Sequence, residues 1–156
     1  MKDSAYRYAL TILGNAMDAE DMVQDAYSKL WLMREELDKF ENLEAYVLRV
    51  VRNLCIDKLR ADRLHEDKLE EAFIDQSEVG PGQGEDLRDM QALVKKLISQ
   101  LPEKSRTVIH LRDVEGYEME EIADIVGEDV ASLRVRLSRA RKTIREQMIK
   151  VINYGL

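Results

Sequence analysis

Between Val130 and Lys150 the chain carries seven cations, Arg134, Arg136, Arg139, Arg141, Lys142, Arg145 and Lys150, against the single acid Glu146. Such side chains bind phosphate, and a guanidinium can also grip a guanine edge with two parallel hydrogen bonds. In the same segment Leu133, Leu137, Ala140, Ile144 and Met148 step by four, three, four and four, which predicts one buried stripe on a helix. At roughly 100° per residue, Arg134, Val135, Ser138, Arg139, Lys142 and Arg145 then fall on the opposite side. A short apolar helix ending at Gly127 precedes it. The pair reads as a helix–turn–helix whose second helix suits a DNA major groove. A merely solvated helix would mix its signs to form pairs one turn apart, and this one does not.

Two other stripes can carry function. Arg49, Arg52, Asn53, Arg60 and Arg63 lie about opposite Val47, Val51 and Leu54 on a long helix. Arginine supplies phosphate contacts, and asparagine offers a donor and an acceptor to a base edge. Asp57 and Asp62 partly offset this charge, so a solvated cationic face explains the spacing nearly as well. The helix after Asp18 instead presents Glu20, Asp21, Gln24, Asp25 and Lys29. Acids in a first turn stabilise a helix through its dipole, so a docking surface for a basic partner is only weakly supported by composition.

Catalytic chemistry finds no constellation. His65 and His110 stand apart from any Cys or carboxylate at metal-ligand spacing. His110, between Ile109 and Leu111, is expected to be structural. The lone Cys55 sits among Val50, Val51, Leu54 and Leu59, as a small core residue would, and it excludes an intrachain disulfide. Gly80-Pro-Gly-Gln-Gly84 lacks the Gly-Lys-Ser/Thr that a phosphate loop needs. No enzyme activity, cofactor or metal is expected.

The elements that must position these residues are all helical. Strand-like alternation is nearly absent from the 156 residues, of which 45% are hydrophobic and 35% charged. No stretch is long and apolar enough to span a bilayer, and none reads as a signal peptide. A reducing cytoplasm is the expected setting. The periodicity predicts a helix over Ala5–Leu13 that stops at Gly14-Asn15. A second is capped by Asp18 and runs to about Leu37, burying Met22, Val23, Ala26, Tyr27, Leu30 and Trp31. A third is capped by Asn42 and covers Leu43 to about Arg63. Helical pattern resumes over Leu87–Leu101, restarts at Pro102 and ends at Gly116 before the helix–turn–helix. Between them Glu66 to Asp89 is acidic and holds the Gly-Pro-Gly run, which predicts a flexible tether. The fold class is therefore all-α: two small helical domains, 1–64 and 87–156, joined by a flexible acidic linker, 65–86. The net charge of −7 argues against nucleic acid only as a sum. DNA meets local fields over about a Debye length, and the cations here are segregated.

The order of parts resembles extracytoplasmic-function (ECF) sigma factors of the sigma-70 family. Leu13-Gly-Asn-Ala-Met-Asp-Ala-Glu-Asp-Met-Val-Gln-Asp-Ala-Tyr-Ser-Lys-Leu-Trp31 and Ala45-Tyr-Val-Leu-Arg-Val-Val-Arg-Asn-Leu-Cys-Ile-Asp-Lys-Leu-Arg60 are similar to region 2 of that family. Leu101-Pro-Glu-Lys-Ser-Arg-Thr-Val-Ile-His-Leu-Arg and the helix–turn–helix are similar to region 4. The resemblance implies a transcription initiation factor that binds core RNA polymerase and directs it to promoters. By family, Asp21, Gln24 and Asp25 dock on the β′ clamp helices, and the β flap is the other polymerase surface contacted. The minus-10 strand falls to the loop Phe40, Glu41 and Asn42 and to Arg49, Arg52, Asn53 and Arg60, with a flipped base held between the loop and Asn53. The minus-35 element falls to Ser132, Arg134, Val135, Ser138, Arg139 and Lys142. An anti-sigma factor is the further partner the family implies, and membrane insertion is not expected. Asp129 stands where the family often has Pro, and Ala131 where it often has Gly.

Two other readings compete. A sigma-like decoy would bind an anti-sigma factor without reading DNA, but should have lost the cations of its last helix. A single helix–turn–helix regulator with an N-terminal dimerisation domain leaves Asp21, Gln24, Asp25 and the Asn53 stripe without a role.

Overall fold

The computed structural model describes residues 2–65 and 86–154, and all its regular elements there are helices. The first half holds α1 (Lys2–Leu13), α2 (Ala16–Leu32), a 3-10 helix (Arg34–Lys39) and α3 (Leu43–His65). The second holds α4 (Asp86–Ser99), α5 (Glu103–Ile109), a π-helical turn (His110–Val114), α6 (Met119–Val126) and α7 (Val130–Tyr154). The tether expected over 65–86 lies outside the described residues except for the helix ends at His65 and Asp86.

Local chemistry sets the boundaries. Gly14, at φ 72°, ends α1 in the left-handed conformation that glycine adopts without a Cβ penalty. Asn15, not Asp18, then caps α2: its Oδ1 accepts from the Asp18 backbone N–H at 2.9 Å. Asp18 sits inside the first turn, where its charge still favours the helix dipole. That helix stops at Leu32, five residues short of the expected end, because the chain tightens into the 3-10 turn at Arg34. Asn42 caps α3 as expected, accepting from Ala45 N–H at 3.0 Å.

The buried residues of α1, Ala5, Tyr8, Ala9 and Ile12, face Ala19, Val23 and Ala26 of α2 and Leu48, Val51 and Cys55 of α3. Alanine at so many of these positions lets the helix axes approach closely. Trp31 is not in this core. It is 65% exposed, with the Arg34 guanidinium over its ring at 4.1 Å from the centroid. The helical period predicts Trp31 in the buried stripe, but among the described residues no element packs over it.

In the second half Leu133, Leu137 and Ala140 of α7 are buried, while Ile144 is half-buried. They join Val108, Ile109, Leu111, Ile122 and Ile125 in the core. The two halves do not stand apart. Helix α3 packs on α6 and α1 packs on α5, so buried residues of both halves form one continuous cluster.

Candidate nucleic-acid and polymerase interfaces

Helix α6 ends at Gly127 (φ 76°), whose N–H donates to the Ala123 carbonyl at 2.8 Å. The chain then turns, and Asp129 opens α7: the Ser132 N–H approaches its Oδ2 at 3.4 Å and the Leu133 N–H donates to its carbonyl at 3.1 Å. Hydrogen bonds from Ser132 hold the Asp129 carboxyl below its usual range. A capping aspartate thus starts the helix at the position the family often gives to proline.

On α7 the structure places Ser132, Arg134, Val135, Ser138, Arg139 and Lys142 together on an exposed face, with Val135 49% exposed. Not every cation of the segment is available. Arg141 makes a paired contact with Asp113, its Nε donating to Oδ2 at 3.0 Å, and Arg136 is bonded to Glu128. Lys142 reaches Glu146 at 4.0 Å. Arg134 and Arg139 have no carboxylate partner among the described residues. Arg134, Ser138, Arg141 and Arg145, with Arg112 from the π turn, line a cleft of about 470 Å³ beside this face. The sequence counted only the acid inside the segment, and Asp113 and Glu128 arrive from elsewhere in space.

Helix α3 presents Arg49, Asn53 and Arg60 outward, while Arg52 is half-buried and donates to Asn53 Oδ1 at 3.3 Å. Arg60 sits 3.7 Å from Asp57, with both side chains well exposed, so that pair is weak. In the preceding loop Phe40 stacks on Tyr46, with centroids 4.0 Å apart, and Glu41 is exposed. Asn42 is already committed: its Oδ1 caps α3 and its Nδ2 donates to Glu121 Oε2 at 3.1 Å. From the start of α3 to Asn53 the rise is about 15 Å at 1.5 Å per residue.

On α2, Asp21, Gln24 and Asp25 are exposed and make no hydrogen bond or ion pair among the described residues. Met17, 76% exposed, and Leu32, 83% exposed, lie on the same side at helical spacing, with Trp31 beside them. The sequence reading had missed this apolar frame around the acids. An exposed Leu or Met shows no sign in sequence unless the neighbouring helix is known to be absent.

A third group joins the halves. Arg106 of α5 donates from Nε to the Thr11 carbonyl at 2.7 Å and from Nη2 to the Ile12 carbonyl at 3.1 Å. These are last-turn carbonyls of α1, which have no partner within their helix and carry its negative end. Arg7 forms two bonds to Glu115, at 2.6 and 2.9 Å. Those bonds, more than any other influence, hold the Glu115 carboxyl below its usual range. His110 Nε2 lies 3.3 Å from Glu115 Oε2 but is not aligned for a hydrogen bond. Burial depresses the His110 pKa despite that neighbour. The π turn makes this meeting: Glu115 N–H donates to the His110 carbonyl, five residues back, at 2.9 Å. The Tyr8 ring stacks on His110 at 6.4 Å, and Tyr117 hydrogen-bonds to Glu44. The Cys55 thiol is fully buried and pushed up to about 12 by burial, so it is no nucleophile.

Two family profiles match the chain: Sigma-70 region 2 over residues 1–64 and Sigma-70, region 4 over residues 91–144. The RNA polymerase sigma factor SigV of Bacillus subtilis is 30% identical over 152 residues, covering 96% of this chain and 87% of that protein. The ECF RNA polymerase sigma factor SigW of the same organism is 26% identical over 164 residues, covering 94% and 84%. Among solved structures, the sigma factor RpoE of Bartonella quintana, in complex with the anti-sigma factor NepR, matches with a TM-score of 0.73 at 28% identity. That match covers 94% of this chain and 91% of RpoE. CnrH, solved with the cytosolic domain of CnrY, shares the fold at 0.62 and 23% identity, over 94% and 81%. A helical pair of this kind, with a helix–turn–helix at its end, defines a non-enzymatic DNA-binding regulator of transcription. The chain belongs to the sigma-70 family, as an ECF-type RNA polymerase sigma factor, and is a transcription initiation factor. Among the described residues no helix is long and apolar enough to cross a membrane.

Proposed function

We propose that residues 1–64 bind core polymerase and the minus-10 element, that 87–156 read the minus-35 element, and that 65–86 tether the two. The observation that carries this is the exposed face of α7, where Arg134 and Arg139 have no carboxylate partner among the described residues. Cations kept out of internal pairs are available for phosphates and guanine edges. Beside them Val135 offers apolar contact only, of the kind a thymine methyl accepts. Ser132, Ser138 and Lys142 complete the face.

The minus-10 strand lies along α3 in this reading, with Arg49, Arg52 and Arg60 on its phosphates and Asn53 on a base edge. The loop Phe40, Glu41 and Asn42 takes a different nucleotide of the same strand, once Asn42 is released from Glu121. Core polymerase docks on α2 through Asp21, Gln24 and Asp25, at the β′ clamp helices. The apolar frame of Met17, Trp31 and Leu32 supports a protein partner, because charged groups ringed by exposed apolar side chains are what a desolvated contact uses. Region 4 meets the β flap. An anti-sigma factor is proposed as the inhibitory partner, supported by the likeness to RpoE as captured with NepR. The place of action is the cytoplasm, where the polymerase is.

Run-off transcription from a promoter library with purified core polymerase tests the proposal. The protein should add a discrete set of start sites that core alone does not use. No added start sites, together with tight binding of an anti-sigma factor, would instead establish the decoy reading.

A further inference from the structure

Helix α7 carries two polar stripes. Ser132, Val135, Arg139 and Lys142 lie opposite the buried Leu133, Leu137 and Ala140, where a helix seated in a groove presents side chains to bases. Arg134, Ser138, Arg141 and Arg145 step by four, three and four and form a second stripe, roughly 110° further round the helix. This second stripe does not stand on an open surface. With Arg112 of the π turn and Met119 of α6 it lines the cleft of about 470 Å³. That volume falls within the roughly 300–1,000 Å³ typical of small-molecule sites.

Four guanidiniums thus share one cleft, and neither Asp113 nor Glu118, the carboxylates paired with two of them, lines it. Two of the four are held in place. Arg112 Nη1 donates to the Tyr117 carbonyl at 2.8 Å, and Arg141 is gripped by Asp113 through two nitrogens. A guanidinium has more N–H groups than these contacts use, so donors remain for a ligand. Holding them beforehand lowers the side-chain entropy that binding would lose. Arg134 and Arg145 have no carboxylate partner among the described residues and are left to reach a ligand. Apart from the Ser138 hydroxyl the remaining lining is apolar, with Met119 and Leu137 both buried. Like charges around one cavity repel, and a bound polyanion relieves that repulsion.

We propose that this cleft binds a nucleoside triphosphate, its phosphates among the four arginines and its base against Met119 and Leu137, and that the bound nucleotide competes with promoter DNA for α7. A duplex offers single charges spaced along its backbone, with its bases stacked away from such a cleft. A nucleoside triphosphate brings several charges and an apolar ring on one small molecule, which matches the cationic rim and the apolar lining together. Arg134 and Ser138 belong both to the cleft and to the proposed minus-35 face, and this overlap makes the two ligands exclusive. The competition rests on the minus-35 reading of α7, whereas the binding does not. Promoter engagement would then answer to the level of the polymerase's own substrates.

Titration calorimetry of the full chain with ATP, and separately with sodium tripolyphosphate, tests this. ATP should saturate at one molecule per chain, and tripolyphosphate should bind more weakly because it has no base. Arg112→Ala and Arg145→Ala should each weaken ATP binding by about tenfold or more, the worth of a hydrogen bond between charged groups. Arg112→Ala also loses the Tyr117 contact, so Arg145→Ala, at an exposed position, is the deciding variant, with unchanged thermal unfolding as its control. Arg139→Ala and Lys142→Ala, on the other stripe, should leave ATP affinity unchanged. Equal losses from both stripes, binding that does not saturate, or no binding of ATP would each overturn the site. In a second arm, saturating ATP should release a labelled minus-35 duplex from the parent chain and fail to do so from Arg145→Ala. Equal release from both chains would overturn the competition. Weaker duplex binding by Arg145→Ala, with no ATP bound by the parent, would assign the cleft to the DNA backbone alone. A parent chain that binds no duplex would instead overturn the minus-35 reading, with the calorimetry still deciding the cleft.

Discussion

At the scale of single residues, the cations of α7 fall into two kinds that share one sequence pattern. Arg134 and Arg139 are exposed with no carboxylate partner among the described residues, whereas Arg141 is tied to Asp113 and Arg136 to Glu128. Arg134→Ala and Arg139→Ala should each weaken minus-35 recognition by about 1–3 kcal/mol, the worth of a bidentate contact. Arg141→Ala should cost less in recognition, because its guanidinium is already engaged. Holoenzyme footprints on matched and mutated minus-35 sequences measure this difference. Equal losses at Arg134, Arg139 and Arg141 would mean that the helix acts only as a positive surface. Sequence could not have drawn the distinction, since Asp113 lies 28 residues away along the chain. It did yield the buried stripe, because Leu133, Leu137 and Ala140 follow from the helical repeat alone.

At the scale of elements, helix existence was legible throughout and helix ends less so. Asn15 and Asp18 are both good caps, and only backbone geometry shows that the helix starts from Asn15, three residues earlier, right after the turn at Gly14. The exposure of Trp31 was hidden for a different reason: burial needs a neighbour, and periodicity does not say whether one exists. That exposure sharpens the prediction for α2. Asp25→Lys combined with Gln24→Ala should abolish co-purification with core polymerase while leaving the helical circular dichroism unchanged. Both side chains are exposed and make no hydrogen bond or ion pair among the described residues, so their loss costs the fold little. Trp31→Ala should weaken the same binding. Normal polymerase binding by the double variant would remove the docking role from this helix.

At the scale of the whole molecule, charge links stability to pH. His110 is faced by Glu115 from its own turn and by Arg7 and Tyr8 of α1. Its pKa is lowered by burial in the folded chain, so below its ordinary value of about 6.5 the unfolded form binds more protons, and stability falls as pH falls. Glu115 is also lowered, by Arg7, so its contribution is present above about 4.5 and is lost as pH falls through its folded-state value. Both effects have the same sign. The midpoint of thermal unfolding should fall on titration from pH 7 to pH 5, with His110 the main contributor in that window. His110→Gln should flatten the change. A pH-independent midpoint in the parent would exclude a role for this pair in stability.

The division of labour between the halves gives a further test, at Asn53. In the proposed reading minus-35 recognition falls to α7, so a lesion on α3 should leave closed promoter complexes intact. Opening is different, because an unstacked base must be captured and exposing one costs a few kcal/mol. Asn53 has a polar edge to offer that base and is exposed in the structure, while Asn42 is hydrogen-bonded to Glu121. Asn53→Ala should therefore protect the minus-35 region in footprints yet give weak permanganate reactivity near the start site. A template with a pre-melted bubble should recover much of the lost transcription, since the unstacking cost is then already met. If Asn53→Ala opens duplex promoters as well as the parent, the α3 stripe carries phosphate contacts only. Base capture would then fall to Phe40 and its neighbours in the loop, about 15 Å away along the helix.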